Sequence, residues 1–202
     1  MSANFGSSVR RALRKAERSE LTTRTRTDAE AMAQFYSLHV RTRRKHGAPP
    51  QPRRFFANIQ KHVIDAGLGC IITAGKAKHP IAAAIFFTLG RNAIYKFGAS
   101  DERWQEFRPN NLVMAEAINF FADSSVRTLH FGRTDKANGG LRRFKLSWGA
   151  AEGEISYGKF AVSTDNWVQA GTPISSLSNH IFRALPARLN RLAGVLLYPH
   201  LD

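Results

Sequence analysis

The beginning of the chain has apolar residues at helical spacing. The stretch SSVRRALRKAERS predicts a helix that Ser7 or Ser8 caps, with Val9, Leu13 and Ala16 on one apolar side. The rest of this helix is basic, since it carries Arg10, Arg11, Arg14, Lys15 and Arg18. We therefore expect an amphipathic helix with a cationic outer face.

Two more helices are predicted before the first strand. Thr27 and Glu30 have capping-box spacing for a helix through AMAQFYSLHVRTRRK, which Gly47 ends. The prolines of GAPPQP cannot continue that helix, and RRFFANIQKHVIDAG predicts another one that a glycine closes. The threonine-rich segment before Thr27 is interpreted as a polar connection.

The pattern then changes to short apolar runs separated by Gly, Pro and Asn. The runs LGCIITAG, HPIAAAIFFTLG and NAIYKFGAS predict an antiparallel three-strand meander with a tight turn near Gly90 to Asn92. The segment DERWQEFRPNN predicts a loop, and a helix LVMAEAINFFADS begins at Pro109 to Asn111.

The remaining part of this domain predicts a strand, a helix and a strand. The segment RTLHFGRT is the strand, GGLRRFKLSWG is a turn with a short helix, and EISYGKFAV is the last strand. This mixed α/β order fits neither repeated βαβ winding nor an all-β protein. We expect an α+β fold with a mixed sheet.

The C-terminal tail predicts a basic amphipathic helix with a kink at Pro186. Its arginines are Arg183, Arg188 and Arg191, and its apolar positions are Leu177, Ile181, Leu185, Leu189, Leu192 and Leu196. Two interpretations stay open at this point. The helix either packs on its own domain or lies on an anionic membrane.

Composition adds charge to this picture. The chain has 202 residues, and 30 Lys and Arg against 15 Asp and Glu give a formal net charge of +15 at pH 7. A charge of this size favours an anionic partner, such as nucleic acid, acidic lipid or a pyrophosphate-bearing substrate. The alternative is a basic surface that is merely solvated.

Several function classes are excluded by missing motifs. Cys70 is the single cysteine and lies in an apolar run, so neither a disulfide nor a cysteine-based zinc site can form within the chain. The histidines form no metal-binding pair, and no metal site is expected. No Walker loop, GxGxxG or nucleophile elbow is present. Without a signal-like or spanning apolar run, we expect a cytoplasmic protein.

Two segments remain as candidates for chemistry. One is RPNN, where the start of a helix offers free amide donors and partial positive charge to a phosphate or an oxyanion. This helix start is flanked by Arg108, Asn110 and Asn111. Plain helix capping by asparagine is the alternative.

The second segment is FGRTDKANGGLRRFKLSWG. Gly132 permits close approach of another backbone or of a ligand, and Arg133 emerges at the end of a strand. In the short helix, Leu141, Phe144 and Trp148 are predicted to pack inward, with the cations pointing elsewhere; these are Arg142, Arg143 and Lys145. Four cations in one short region favour one wall of an anion-binding site over a solvated face.

The stretches TRRKHGAPPQP, YKFGASDE, RPNNLVMAEAI, FGRTDKANGGLRRFKLSWGA and ISY together resemble the Fem-type peptidyltransferases of the GNAT acyltransferase superfamily. More narrowly, they are similar to FemAB-related proteins of bacterial exopolysaccharide and exosortase systems. The resemblance runs from about Arg10 to the C-terminus. It implies a mixed, mostly antiparallel sheet with helices on both faces.

The resemblance also implies direct transfer of an acyl or aminoacyl group to an amine. The donor is acyl-CoA or aminoacyl-tRNA, no cofactor is tightly bound, and the acceptor is an anionic cell-envelope or polysaccharide precursor. Lys145 matches the motif lysine that binds the donor or stabilises the transition state, and Arg133 matches the motif arginine. The other expected binding residues are Arg108, Asn110, Asn111, Arg142, Arg143 and Trp148.

The chain departs from the family pattern in two ways. It matches only the second of two GNAT-like domains. We therefore expect three parts, namely a basic helix (1–20), a GNAT-like domain (21–165) and a basic tail (166–202). It also lacks the glycine-rich pyrophosphate loop of CoA-using members before RPNN.

These departures leave several alternatives. A partner domain or a homodimer completes the site, or the chain is a non-catalytic module that binds tRNA or another anion through its basic helix. Peripheral membrane contact is a further expected interaction. The general base also stays open between His130, Asp135 and a substrate phosphate.

Overall fold

The computed structural model describes residues 5–76, 79–168, 180 and 182–198. Its helices are α1 (Ser7–Arg18), α2 (Ala29–Lys45), α3 (Arg53–Ile59, continued by a π-helical turn, Gln60–Ile64), α4 (Pro109–Ala122), α5 (Gly139–Leu146) and α6 (Ala187–Leu197). A 3₁₀-helix (Glu102–Phe107) precedes α4. The strands are β1 (Thr22–Arg26), β2 (Gly69–Lys76), β3 (His79–Leu89), β4 (Asn92–Ser100), β5 (Thr128–His130), β6 (Lys159–Ala161) and β7 (Asn166–Val168).

The first five strands form one sheet in the order β1-β2-β3-β4-β5. Strands β1 to β4 are antiparallel neighbours, and β5 runs parallel to β4. The predicted meander is therefore confirmed, with Ile72 opposite Ala84 and Ile85 opposite Phe97. Gly90 takes a positive φ of 57° in the predicted turn between β3 and β4.

Helices cover both faces of this sheet, as expected. Because side chains alternate along a strand, β3 directs Ala84 and Phe86 to the cluster under α1 and α4, and Ile85 to the cluster under α2 and α3. Met114 of α4 and Phe35 of α2 are buried in these two clusters. The α+β class with a mixed, mostly antiparallel sheet is confirmed.

Strand β1 was predicted as a polar connection, and this prediction is wrong. Thr22 to Arg26 pair with β2 along the sheet edge, with Thr23 opposite Ala74. An edge strand needs hydrogen bonds on one side only and can keep polar side chains in water, so the apolar pattern gives no signal. Alternating threonines in TTRTR were the available clue.

The ends of several elements also differ from the predictions. Helix α1 begins at Ser7 after Gly6, without a side-chain cap. Asp28 rather than Thr27 caps α2, because its Oδ1 accepts a hydrogen bond from the Ala31 N–H at 3.0 Å. The predicted loop DERWQEF is mostly a 3₁₀-helix, which Asp101 caps through the Arg103 N–H.

The two later predicted strands are shorter or lie elsewhere. β5 contains only three residues, because the chain leaves β4 after His130. The segment EISYGKFAV does not join the main sheet: Lys159–Ala161 pairs with Asn166–Val168 as a separate two-stranded sheet. Residues 151–158 before it are exposed and have no regular structure.

Asp101 fixes the point where β4 passes into the 3₁₀-helix. Its carboxylate is buried and bonds with the guanidinium groups of Arg41 and Arg103. The hydrogen bonds from Arg103, helped by the charges of both arginines, lower the pKa of Asp101 to about 2. The carboxylate therefore joins α2 to the segment that leads into α4.

The tail contains α6, which contacts α2 and begins directly after Pro186, so the helical structure is interrupted there rather than continuing as one kinked helix. The positions Leu177 and Ile181 of the predicted helix lie outside the described residues. Among the helices of the described ranges, none is long and apolar enough to cross a membrane.

Candidate active site

A cleft opens where β4 and β5 separate. Their pairing ends at Ile94 and His130, whereas β4 continues beside β3 as far as Ser100. The free edge of β4 and the chain after β5 form the two walls of a cleft of about 700 Å³. Its polar and cationic lining residues include Thr42, Lys45, His46, Tyr95, Lys96, Ser100, Gln105, Arg108, Asn110, Asn111, Arg133 and Lys145.

A bulge in β4 shapes the cleft wall. Phe97 lies opposite Ile85 and Tyr95 lies opposite Phe86, so Lys96 is the extra residue. The Tyr95 ring folds over Gly98, where a Cβ would come within 1.7 Å of the Tyr95 hydroxyl oxygen. Only glycine leaves room for this ring, and the conformation brings Tyr95 to the cleft.

Tyr95 is a site residue that the sequence analysis missed. Burial raises the pKa of its hydroxyl to about 12, so the group stays protonated at neutral pH. Among the described residues, the hydroxyl has no hydrogen-bond partner. It is therefore free to donate a hydrogen bond or a proton to a ligand.

Lys145 projects from α5 into the cleft. The Asn138 side chain caps α5 by accepting a hydrogen bond from the Leu141 N–H at 3.1 Å. The Lys145 side chain is buried, and its Nζ donates to the carbonyl oxygens of Gly132 at 2.9 Å and Arg133 at 3.0 Å. The expectation that Lys145 points away from the packed side is wrong, because it follows Leu141 by one helical turn and shares its face.

The Lys145 ammonium has no carboxylate partner in the described part of the chain. Burial lowers the pKa of this lysine, because the charged form loses solvation. An ammonium has three N–H donors, and two are used by backbone carbonyls. One donor therefore remains for a ligand.

Gly132 and Arg133 form the wall opposite β4. Gly132 has a φ of 67°, and a Cβ there would come within 3.3 Å of the Tyr95 carbonyl oxygen. This supports the predicted close approach at Gly132. The guanidinium of Arg133 lies 5.1 Å from the centre of the Tyr157 ring, a cation–π contact that holds it at the edge of the cleft.

The start of α4 forms the far end of the cleft. Arg108 has a φ of 60°, which is uncommon for a residue other than glycine, and its carbonyl oxygen accepts from the Asn111 N–H at 3.1 Å. The Asn110 side chain bonds to the Ser100 hydroxyl at 3.3 Å, and no side chain caps the helix. The alternative of plain capping by asparagine is therefore wrong.

This helix start offers few amides to an anion. Pro109 has no N–H, and Asn111 and Leu112 both donate to the Arg108 carbonyl. Within the described ranges, the Asn110 N–H is the amide of this turn without a partner. An anion at this end of the cleft must rely on side chains such as Arg108.

The cleft is strongly cationic. Five Lys or Arg residues line it, and no carboxylate does so in the described part of the chain; the five are Lys45, Lys96, Arg108, Arg133 and Lys145. His46 is neutral at pH 7, because burial and the nearby charges of Lys45, Arg43 and Arg183 lower its pKa. The electrostatics therefore favour an anionic ligand.

Three of the predicted binding residues lie outside this cleft. Arg142 forms a two-pronged ion pair with Glu152, both contacts at 2.7 Å. Arg143 is exposed on the outer side of α5. Trp148 is buried in the core, with its ring centre 5.0 Å from that of Phe5.

The two predicted bases are also absent from the lining. His130 is the last residue of β5 and is exposed. Asp135 accepts a hydrogen bond from the Ala137 N–H at 2.8 Å in the turn before α5. His46 is a titratable group in the cleft that the sequence analysis did not identify as a site residue, although it lies in the stretch TRRKHGAPPQP.

Metal chemistry has no support in the described ranges. Within them, no group of three or more His, Cys, Asp or Glu side chains lies close enough together to hold a metal ion. Cys70 is buried, and burial raises the pKa of its thiol to about 12. This cysteine is a core residue, in keeping with the apolar run that contains it.

Comparison with solved structures shows the fold. The crystal structure of FemX superimposes with a TM-score of 0.64 at 17% identity, over 72% of this chain and 54% of FemX. The structure of AAC(6')-Iy in complex with the bisubstrate analogue CoA-S-monomethyl-acetylneamine gives a TM-score of 0.55 at 12% identity, over 70% of this chain and 99% of that one. The predicted GNAT fold is confirmed.

Sequence comparison gives the family. The lipid II:glycine glycyltransferase of Staphylococcus haemolyticus (strain JCSC1435) is 31% identical over 83 residues, which cover 36% of this chain and 20% of that protein. The chain thus spans only a fifth of this curated relative. The family model described as an acetyltransferase (GNAT) domain matches residues 3–146, well over half of the chain. The chain therefore belongs to the GNAT acetyltransferase domain family and, as the sequence motifs predicted, is similar to Fem-type transferases.

Proposed function

We propose that this protein transfers an acyl or aminoacyl group from an anionic donor to an amine, with the donor bound between β4 and β5. The observation that carries the proposal is the cleft itself. It combines five cationic side chains, the absence of a lining carboxylate among the described residues, and a buried ammonium at Lys145. A polyanionic donor satisfies these charges, whereas a cationic ligand does not.

The proposed donor is acyl-CoA or aminoacyl-tRNA, both of which carry phosphate groups in addition to the reacting thioester or ester. Arg108 and the Asn110 N–H at the start of α4 are suited to one phosphate group. The scarcity of free amides there favours recognition by side chains over a backbone cradle. Arg133 and Lys96 are suited to the rest of the donor chain.

The proposed chemistry follows from the groups in the cleft. The acceptor nitrogen attacks the acyl carbonyl carbon, a C–N bond forms, and the carbonyl oxygen becomes an oxyanion. The remaining N–H of Lys145 donates to that oxygen. When the intermediate collapses, the C–S or C–O bond breaks, and the Tyr95 hydroxyl supplies a proton to the leaving group.

The proton of the acceptor amine needs a separate base. Among the described cleft residues, His46 is the side chain that is neutral and able to accept a proton near pH 7. A phosphate oxygen of the substrate is the other acceptor that this site admits. The substrate phosphate was already one of the alternatives from the sequence, whereas the other two, His130 and Asp135, lie outside the cleft lining.

The proposed acceptor is a cell-envelope precursor at the cytoplasmic face of the membrane. Its support is the similarity to the lipid II:glycine glycyltransferase and to FemX. Since the superposition covers 54% of FemX, we further propose that a partner domain or a second copy completes the acceptor site.

The Arg108→Gln variant tests the position of the donor. We expect KM for the donor to rise about tenfold with little change in kcat, because a charge-assisted hydrogen bond to phosphate is lost far from the reacting atoms. The measurement is steady-state transfer to a small amine from acetyl-CoA and, separately, from aminoacyl-tRNA. Mass spectrometry of the product confirms the new amide.

Arg11→Gln is the matched control, since it removes an equal charge from the exposed face of α1. An unchanged KM for Arg11→Gln supports donor binding in the cleft. If Arg11→Gln raises KM and Arg108→Gln does not, the donor binds on α1 rather than in the cleft. If neither donor is turned over by any form, the proposed transfer by this chain alone is wrong.

A further inference from the structure

Helix α6 packs on the protein through its small and polar side. Asn190 is completely buried, and its side-chain amide donates to the Phe182 carbonyl oxygen at 3.4 Å. Gly194, one turn later, lies so close to Pro50 that a Cβ would come within 2.1 Å of its carbonyl oxygen. Tyr198 follows on this side, with its ring centre 5.8 Å from that of Phe55.

The other side of α6 exposes its large apolar residues. Leu192 is 56% exposed and Leu196 is 63% exposed, and Leu189 and Val195 beside them are about half exposed. These four residues form the leucine face of α6. An ordinary amphipathic helix of a globular protein turns such residues towards the core, so this orientation is the reverse of the usual one.

The surroundings of the leucine face are basic. Residues 166–198 contain three arginines and no Asp or Glu, and Arg188 and Arg191 are exposed on α6 itself. Arg183 precedes the helix and donates to the Lys45 carbonyl oxygen at 3.2 Å, next to Arg44. An apolar stripe with a cationic border is the arrangement that suits a surface of anionic lipid.

We propose that the leucine face of α6 binds the surface of an anionic membrane, with Leu192 and Leu196 inserted among the acyl chains and Arg188 and Arg191 at the headgroup phosphates. A second copy of the chain is less suitable as a partner, because each face would meet identical arginines without a carboxylate, and the whole chain carries a charge of +15.

The helix that carries the leucine face also contacts an element that lines the cleft. Helix α6 contacts α2, and Lys45 and His46 at the end of α2 line the cleft. The membrane contact itself does not depend on the transfer chemistry, and a binding assay with vesicles tests it separately.

The test is co-sedimentation of the full chain with phosphatidylcholine vesicles and with vesicles that also contain phosphatidylglycerol. We expect binding to the anionic vesicles, and a decrease of about tenfold or more in the partition coefficient for the double variant Leu192→Gln, Leu196→Gln, since several buried methylene groups are lost. Arg188→Gln with Arg191→Gln is expected to weaken binding to anionic vesicles by a similar factor. All four side chains are exposed, so circular dichroism is expected to show unchanged folding.

The control is Arg11→Gln with Arg14→Gln, which removes the same charge from α1. Retained vesicle binding by this variant supports the assignment to α6. An equal loss of binding in the control overturns it, because attraction would then follow net charge alone. Binding of the wild-type chain to neutral vesicles as strongly as to anionic vesicles also overturns it. A leucine variant that binds vesicles normally but changes from dimer to monomer in sedimentation velocity overturns it as well.

Discussion

Replacing Lys145 by methionine is expected to lower kcat by a factor of about 10²–10³, the loss that follows removal of one oxyanion donor in other enzymes. Methionine keeps much of the buried apolar stem but removes the ammonium that contacts Gly132 and Arg133. A moderate loss of stability is expected as well, because two carbonyl oxygens lose their donor. Steady-state kinetics beside thermal unfolding separates the two effects.

Arg143→Met is the matched control for Lys145→Met. It removes a cation from the same helix at an exposed position outside the cleft lining, and activity is expected to stay within about twofold. Equal kinetics for wild type and Lys145→Met would contradict the proposed role of the lysine.

The pH dependence of activity is a second test of the role of Lys145. Burial lowers the pKa of Lys145, so its ammonium is lost at a lower pH than that of an exposed lysine. Activity that needs the charged form is present below the lowered pKa and disappears as the pH rises through it. If activity falls at the same alkaline pH in Lys145→Arg as in wild type, another group controls this fall.

The Asp101→Asn substitution is expected to destabilise the fold by about 1–2 kcal/mol at pH 7, after allowance for solvent around the two partly exposed arginines. The pKa of Asp101 falls from the usual 3.8 to about 2, so its contribution to stability is present above pH 4 and is lost as the pH falls towards 2. Chemical denaturation at several pH values measures this difference.

Glu102→Gln supplies the control for Asp101→Asn. Glu102 is exposed and lies 3.4 Å from Lys45, and its loss is expected to change stability by less than about 0.5 kcal/mol. The assignment of the effect to the ionised carboxylate would be contradicted if wild type and Asp101→Asn differed in free energy of unfolding by the same amount at acidic pH as at pH 7.

The sequence predicted the parts of the fold that depend on local pattern. The meander of β2, β3 and β4, the glycine turn at Gly90 and the start of α4 at Pro109 all follow from apolar runs and their punctuation. Strand β1 was not predicted, because the hydrogen bonds that define it come from β2, which is distant in sequence. The segment EISYGKFAV differs, because Lys159–Ala161 pairs with Asn166–Val168 a few residues later and forms a hairpin outside the main sheet.

The site was predicted in part for a similar reason. Arg108, Arg133 and Lys145 were predicted as site residues because they are charged and lie near glycine or proline. The structure brings all three to one cleft. Tyr95, Lys96 and His46 lie in stretches that resemble the family, but nothing there indicated a place in the cleft, because a bulge and the divergence of two strands place Tyr95 and Lys96. Arg142 was also expected at the site, but the structure places it on the exposed side of α5, where it pairs with Glu152, and directs Lys145 into the cleft.

The most direct test of the donor site is hydrogen–deuterium exchange with and without acyl-CoA or aminoacyl-tRNA. Our proposal predicts that one donor slows exchange in the backbone around the cleft, at residues 94–100, 108–112 and 131–134, and that it leaves α1 unchanged. This measurement requires donor binding alone, so it applies even if another domain completes the acceptor site. Protection confined to residues 7–18, or protection that is the same in Arg108→Gln and wild type, would contradict a donor site between β4 and β5.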